Sequence, residues 1–256
     1  MSLLHSFYCW GHVGVVLIST LFFAWAGIQN WRILAVAWAV IPLINTYIFA
    51  RTPIAPLISE GEKGMSIAQL FRSKVFWILM LMMVCSGASE QAVGQWASAF
   101  AEQGLHLTKA LGDLVGPMLF AVMMGLARVF YGKYGDRINL ERFMTLSAAV
   151  CVCAYLMISL SPWPVLSVVG CALCGLTVGI MWPGTFSRAA VALRNGGTAM
   201  FALLALAGDL GCSSGPTLVG FVSGLAGDNM KLGILMALVF PLLMLLCLLR
   251  GRQEKA

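Results

Sequence analysis

The sequence predicts an all-α membrane protein with eight transmembrane helices. Composition, the spacing of charges and the alternation of basic residues between successive loops predict it. Sixty per cent of the 256 residues are hydrophobic and only 10 % are charged, against roughly 25 % charged in an ordinary soluble domain. Mean hydropathy is +0.90. Water is not the main solvent for such a chain. That excludes a soluble globular enzyme, a disordered protein and a nucleic-acid-binding domain. The net charge of +6 does not mark a polyanion partner, because Lys and Arg fall in short groups between apolar runs. The partners to expect are the lipid bilayer and a solute, not nucleic acid.

A crossing needs about 20 mostly apolar residues. Reading between charged residues gives spans near 10–29, 33–50, 75–100, 111–130, 143–161, 164–186, 197–225 and 232–249. Gln29-Asn30-Trp31-Arg32 splits the first pair and Gly227-Asp228-Asn229 the last. Phe143 to Ser187 holds 45 residues without an acid or base. That is too long for one helix, and Ser161-Pro162-Trp163-Pro164 is the natural turn. The even-numbered loops and the tail hold 13 of the Lys and Arg, and the odd-numbered loops hold Arg32, Lys109 and Lys231. The positive-inside rule then puts both termini in the cytoplasm, and the plasma membrane is the expected location. Met1 to Trp10 lacks the basic start of a signal peptide.

Several polar residues lie inside these spans, where an ionisable group is costly and marks function by default. Glu90 sits deep in the third span, followed by Gln91, Gln95 and Trp96. Gln91 and Gln95 share a helix face. An acid, two amides and an indole suit a polar solute bearing hydroxyls, or else hydrogen bonds that hold helices together. Asp209 lies about a dozen residues into the seventh span. It could couple proton flow to solute movement, or pair with a neighbouring helix. His12 could titrate near neutrality, or be hydrogen-bonded among aromatics. Asp113 reads as a solvated helix-start carboxylate beside a Thr108 cap. Arg128 reads as snorkelling to the interface.

The rest reads as packing and connection. Gly175 and Gly179, Gly211 and Gly215, and Gly220 and Gly224 are each four apart and let backbones approach. Pro117, Pro183 and Pro216 can bend the fourth, sixth and seventh spans. The eight cysteines all lie in apolar stretches, and the Cys171/Cys174 pair has no His or acid beside it. They read as small packing residues, with a metal or redox site the lesser alternative. Residues 52–74 form a linker in which Ser66 to Phe71 can make a short interfacial helix. No phosphate loop, metal cluster or nucleophile–base arrangement occurs, so neither a cofactor nor an enzyme is expected.

Trp10-Gly11-His12-Val13-Gly14 matches Ala207-Gly208-Asp209-Leu210-Gly211, 197 residues later. From His12 the hairpin ends at Arg51, 39 residues on, and from Asp209 at Arg250, 41 residues on. If the likeness is more than that of any two apolar helices, the first hairpin repeats the last and the unit is six spans. A parallel six-plus-six repeat is the architecture of the major facilitator superfamily. Gly132-Lys133-Tyr134-Gly135-Asp136-Arg137 resembles that superfamily's G-x-x-x-D-R loop, although only Asn139 and Arg142 stand where a Gly and two basic residues would follow.

His5-Ser6-Phe7-Tyr8-Cys9-Trp10-Gly11, Gly112-Asp113-Leu114-Val115-Gly116-Pro117 and Gly208-Asp209-Leu210-Gly211 look like the fucose-permease-like branch. The Glu90 to Trp96 stretch resembles the polar seventh helix of sugar-transporting members. The resemblance implies a partial major facilitator fold. Residues 1–51 would be the last two helices of the N-terminal half and 75–256 a complete six-helix C-terminal half. It implies a secondary transporter of a small polar solute, a sugar among the candidates, with proton-coupled symport by alternating access. Gly132, Asp136 and Arg137 would form a conformational latch, Asp136 facing the start of the seventh span near Gly196-Gly197; otherwise they are an ordinary basic turn. The four absent helices leave an alternative: a non-transporting fragment, or a half that needs another chain.

Overall fold

The computed structural model describes residues 2–53, 64–105 and 107–253. Among them, eight helices are long and apolar enough to cross a membrane: Ser2–Ala26, Ile28–Arg51, Lys74–Glu102, Lys109–Arg137, Leu140–Leu160, Pro164–Ala192, Gly197–Leu225 and Met230–Gly251. They are called spans 1 to 8. All eight expected crossings are present, and span 1 starts eight residues earlier than expected because nothing between Ser2 and Trp10 breaks a helix. Glu60 to Lys63 of the linker and residues 254–256 of the tail lie outside the described residues.

Local chemistry sets the turns. Gly27 takes φ +80°, a conformation open to glycine, and ends span 1. The Asn30 side-chain amide then donates to the Ala26 carbonyl at 2.5 Å. At the turn between spans 5 and 6, the Trp163 N–H donates to Ser161 Oγ at 3.1 Å. Pro164 follows as the first helical residue, where its missing N–H costs nothing. Ahead of span 3, the expected short helix forms as Ile67–Arg72, opened by a reciprocal Ser66–Gln69 capping box. Its Leu70 is buried, and the Met65 N–H donates to the Asn195 carbonyl at 2.7 Å. The linker end is thereby tied to the loop before span 7.

Spans 3 and 7 make the most extensive helix contact, and spans 8, 6, 5 and 4 complete a bundle around them. Glycine permits the closeness. A Cβ on Gly211 would collide with the Val84 carbonyl, and one on Gly215 would sit 2.5 Å from the Ala88 carbonyl. Gly175 and Gly179 do the same for span 6 against Phe120 and Met124 of span 4. Gly220 makes room for the Trp96 ring, but Gly224 faces open space and packs against nothing. The expectation for that fourth-spaced partner fails because Gly224 lies on the open side of span 7, while Ser223 beside it is buried.

Span 1 lies antiparallel along span 4: Leu3 approaches Gly132, and Cys9 and Trp10 approach Gly125. Span 2 has few neighbours, and Leu34 is its one buried residue. Gly11 and Gly14 of span 1 face open space, whereas Gly208 and Gly211 of span 7 are in tight contact. The matched glycines of the two hairpins therefore sit in different packing.

Four spans are irregular, span 8 among them with a break at Leu238. Span 3 breaks at Gln95–Trp96, and span 6 at Gly179–Ile180, shortly before Pro183. Span 4 carries a π-turn over Leu114–Met118 around Pro117. Span 7 runs through Pro216 without a break.

Gly211→Ala should force spans 3 and 7 apart and destabilise the purified protein by about 1–3 kcal/mol, as overpacking does. Gly224→Ala should be neutral or stabilising by roughly 0.5–1 kcal/mol, the helix preference of Ala over Gly. Thermal unfolding in detergent, compared between the two variants, checks both.

Candidate functional site

The site begins with a proline. Pro183 has no N–H to give the carbonyl of Gly179, four residues back. Arg128 of span 4 supplies the missing donor: its Nε donates to Gly179 O at 3.0 Å. The same guanidinium donates through Nη1 to the His5 carbonyl at 3.0 Å and through Nη2 to Glu90 Oε2 at 3.0 Å. It also lies over the Tyr8 ring, 5.6 Å from its centre. Arg128 is 2 % exposed and Glu90 is 5 % exposed.

The snorkelling expected of Arg128 is therefore wrong. A cation stays buried when it is paired and its donors are filled, and here a carboxylate and two carbonyls fill them. Glu90 is engaged on both oxygens, because Gln91 Nε2 donates to Oε1 at 3.4 Å. The same amide reaches the Tyr8 hydroxyl at 3.4 Å. Spans 1, 3, 4 and 6 thus meet in one polar knot.

A second polar region opens beside it. Gln95, Trp96, Cys212, Ser213, Pro216, Thr217 and Gly220 line a cavity of about 420 Å³ between spans 3 and 7. Gln95 sits exposed at the break in span 3. Trp96 Nε1 donates to the Pro216 carbonyl at 3.1 Å, which fixes the indole against span 7. Gln91, one turn below, is half-buried in the knot and not in the cavity lining.

Asp209 lies exposed on span 7, in line with Ser213 and Thr217 at four-residue steps. Its carboxylate pairs with no described residue. The helix pairing weighed for it is absent, because this face of span 7 turns away from span 3. His12 is half-buried and meets Tyr8 edge-on at 6.2 Å, and its imidazole makes no hydrogen bond among the described residues. The hydrogen-bonded alternative for His12 is absent too.

The loop residues divide. Gly132 is a point of close approach to span 1, where a Cβ would lie 3.0 Å from Leu3. Asp136 and Arg137 are exposed in a 3-10 turn, Gly135–Arg137. Asp136 makes no hydrogen bond or ion pair with a described residue, so its expected contact with the start of span 7 is not formed. The charge pair at this end is instead Arg188–Glu141, at 3.5 Å.

At the opposite end, Thr108 caps its helix by accepting from the Leu111 N–H at 3.5 Å. Asp113, however, is not simply solvated. It pairs with Lys109 and accepts from Ser98 Oγ at 2.5 Å, and Lys109 lies 3.4 Å from Glu102. The chain returns near enough from span 3 to span 4 for these groups to close a ring. No group of His, Cys, Asp and Glu among the described residues could hold a metal ion. Cys151 and Cys174 lie 4.0 Å apart as free thiols in the core.

Arg128→Ala should leave the Glu90 carboxylate buried without a counter-charge, at about 3–5 kcal/mol. The double variant Glu90→Gln, Arg128→Gln should recover much of that loss. Melting temperatures of wild type, single and double variants test the coupling.

The model of the Major Facilitator Superfamily matches residues 1–216. No curated protein matches the chain significantly. Eight membrane-length helices, a buried ion pair and an open polar cavity accord with that match. The chain belongs to the Major Facilitator Superfamily, whose members are secondary transporters and not enzymes.

Proposed function

We propose that this chain carries a small polar solute by alternating access, with proton-coupled symport, in the plasma membrane with both termini cytoplasmic. A sugar is among the candidate solutes, in keeping with the resemblance to the fucose-permease-like branch. The observation that carries the reading is the Glu90–Arg128 pair, buried between span 1 and the remaining bundle beside an open polar cavity.

In an alternating-access carrier, bundles rock against each other around a central site. Contacts between the rocking parts must form in one state and break in another. Arg128 makes such contacts: on one side His5 and Tyr8 of span 1, on the other Glu90 and Gly179. A proton arriving on Glu90 removes the charge that balances the guanidinium, so the knot loosens and span 1 can shift. Asp209 and His12, without hydrogen-bond or ion-pair partners on their side chains among the described residues, are the other titratable groups free to take part. Gln95 and Trp96 are the lining residues that meet solute, and Gly132, Asp136 and Arg137 complete a latch in another conformation.

A second reading follows from span 2. It exposes nearly all of its length, Asn45 and Thr46 included. A further chain or further helices packing there would complete the carrier.

Purified chain in lipid vesicles, given labelled fucose or glucose and an imposed proton gradient, tests the proposal. Wild type should show uptake accelerated by the gradient. Glu90→Gln should lose at least about tenfold of that acceleration, the effect of about 1.4 kcal/mol on the coupled step. An unchanged response in the variant overturns the coupling role, and uptake by neither protein refutes the site for this chain alone.

A further inference from the structure

We infer that the solute carries an ammonium group as well as hydroxyls, and that Asp209 is its counter-ion. This rests on the reading of the Gln95–Thr217 cavity as the solute site.

The hydrogen-bonding capacity of that surface is lopsided. Ser213 Oγ already donates to the Asp209 carbonyl at 3.1 Å, and Thr217 Oγ1 to the Ser213 carbonyl at 2.7 Å. Each hydroxyl has one proton and two lone pairs, so only acceptor sites remain on both. Pro216 has no N–H, which leaves the carbonyl of Cys212, another lining residue, without its helical donor. The Trp96 indole N–H is taken by the Pro216 carbonyl. Among the lining side chains only the Gln95 amide keeps free N–H groups. The cavity therefore offers mainly acceptors and asks for a solute rich in donors.

Charge points the same way. Glu90 and Arg128 neutralise each other inside the knot, which leaves the Asp209 carboxylate as the one uncompensated charge on this face among the described residues. It stands one helical turn from Ser213 and two from Thr217, or about 6 and 12 Å along the axis. Ser213 and Thr217 line the cavity, so a hydroxylated solute seated on them presents its ammonium toward Asp209, one turn further along the same face. An ammonium has three donors and no acceptor, and the Trp96 ring gives a cation a further favourable face. A carboxylated solute would meet a carboxylate and the bare Cys212 carbonyl oxygen and be repelled.

The test is binding to the purified full chain by titration calorimetry below neutral pH. The probes are glucosamine, its N-acetyl derivative, glucose and glucuronate. Glucosamine should bind about tenfold more tightly than glucose and N-acetylglucosamine, the scale of one charge-assisted contact. Glucuronate should bind weakest. Asp209→Asn should abolish the preference for glucosamine over glucose, with a much smaller effect on glucose than on glucosamine, and Asp209→Glu should keep the preference. Equal wild-type affinity for glucosamine and glucose overturns the ammonium assignment while the polar-solute reading stands. Equal loss of every probe in Asp209→Asn overturns it as well, since the residue is then structural. No binding of any probe to wild type overturns both.

Discussion

A guanidinium held away from water between four helices is the constraint on which the centre of this protein depends. A lone buried cation is untenable, so every neighbour of Arg128 is shaped by it. Glu90 supplies the charge, and the carbonyls of His5 and Gly179 supply further acceptors. The Gly179 carbonyl is available only because Pro183 cannot donate to it. A helix break in span 6, a buried acid in span 3 and the first turns of span 1 thus all converge on one charge. Packing alone would place span 1 loosely, since much of its surface is exposed. The polar contacts give it a register.

The remaining bundle is organised by how closely backbones can come. Without a hydrophobic driving force between helices in lipid, association relies on van der Waals contact and hydrogen bonds. Gly87, Gly211 and Gly215 bring span 3 against span 7 at the level of their backbones. This contact fixes which face of span 7 is left over. Asp209, Ser213 and Thr217 lie on that remaining face, so the tight packing on one side of the helix positions the polar stripe on the other.

Much of this is legible in the chain. The eight crossings follow from charge spacing, because a crossing is a property of about 20 consecutive residues and needs no knowledge of neighbours. The Ser66 cap and the Pro164 turn are equally local. Glu90, Trp96 and Asp209 stand out as polar residues in apolar runs. Snorkelling is the expectation for Arg128 because its surroundings, Ala127 and Val129-Phe130 before Lys133, look like an inner span end. Its depth becomes evident only when Glu90 is recognised as needing a cation from another span, and nothing in the segment around Arg128 names it as that cation. Pairings between spans depend on which helices touch, and that is not written in any one segment. The same holds for Gly224, which has the right spacing but no helix opposite it.

The prolines show how one local defect can serve two ends. Pro183 and Pro216 each deprive a carbonyl four residues back of its donor. At Gly179 an arginine from another span closes the gap, and the result is a rigid junction. At Cys212 no side chain donates among the described residues, and the carbonyl belongs to a residue that lines the cavity. An oxygen in lipid without a donor would cost several kcal/mol, so a proline there is tolerated where a neighbouring group, water or a solute reaches the freed carbonyl. Span 7 runs unbroken through Pro216, so the proline adds an acceptor beside the cavity without interrupting the helix that forms its wall.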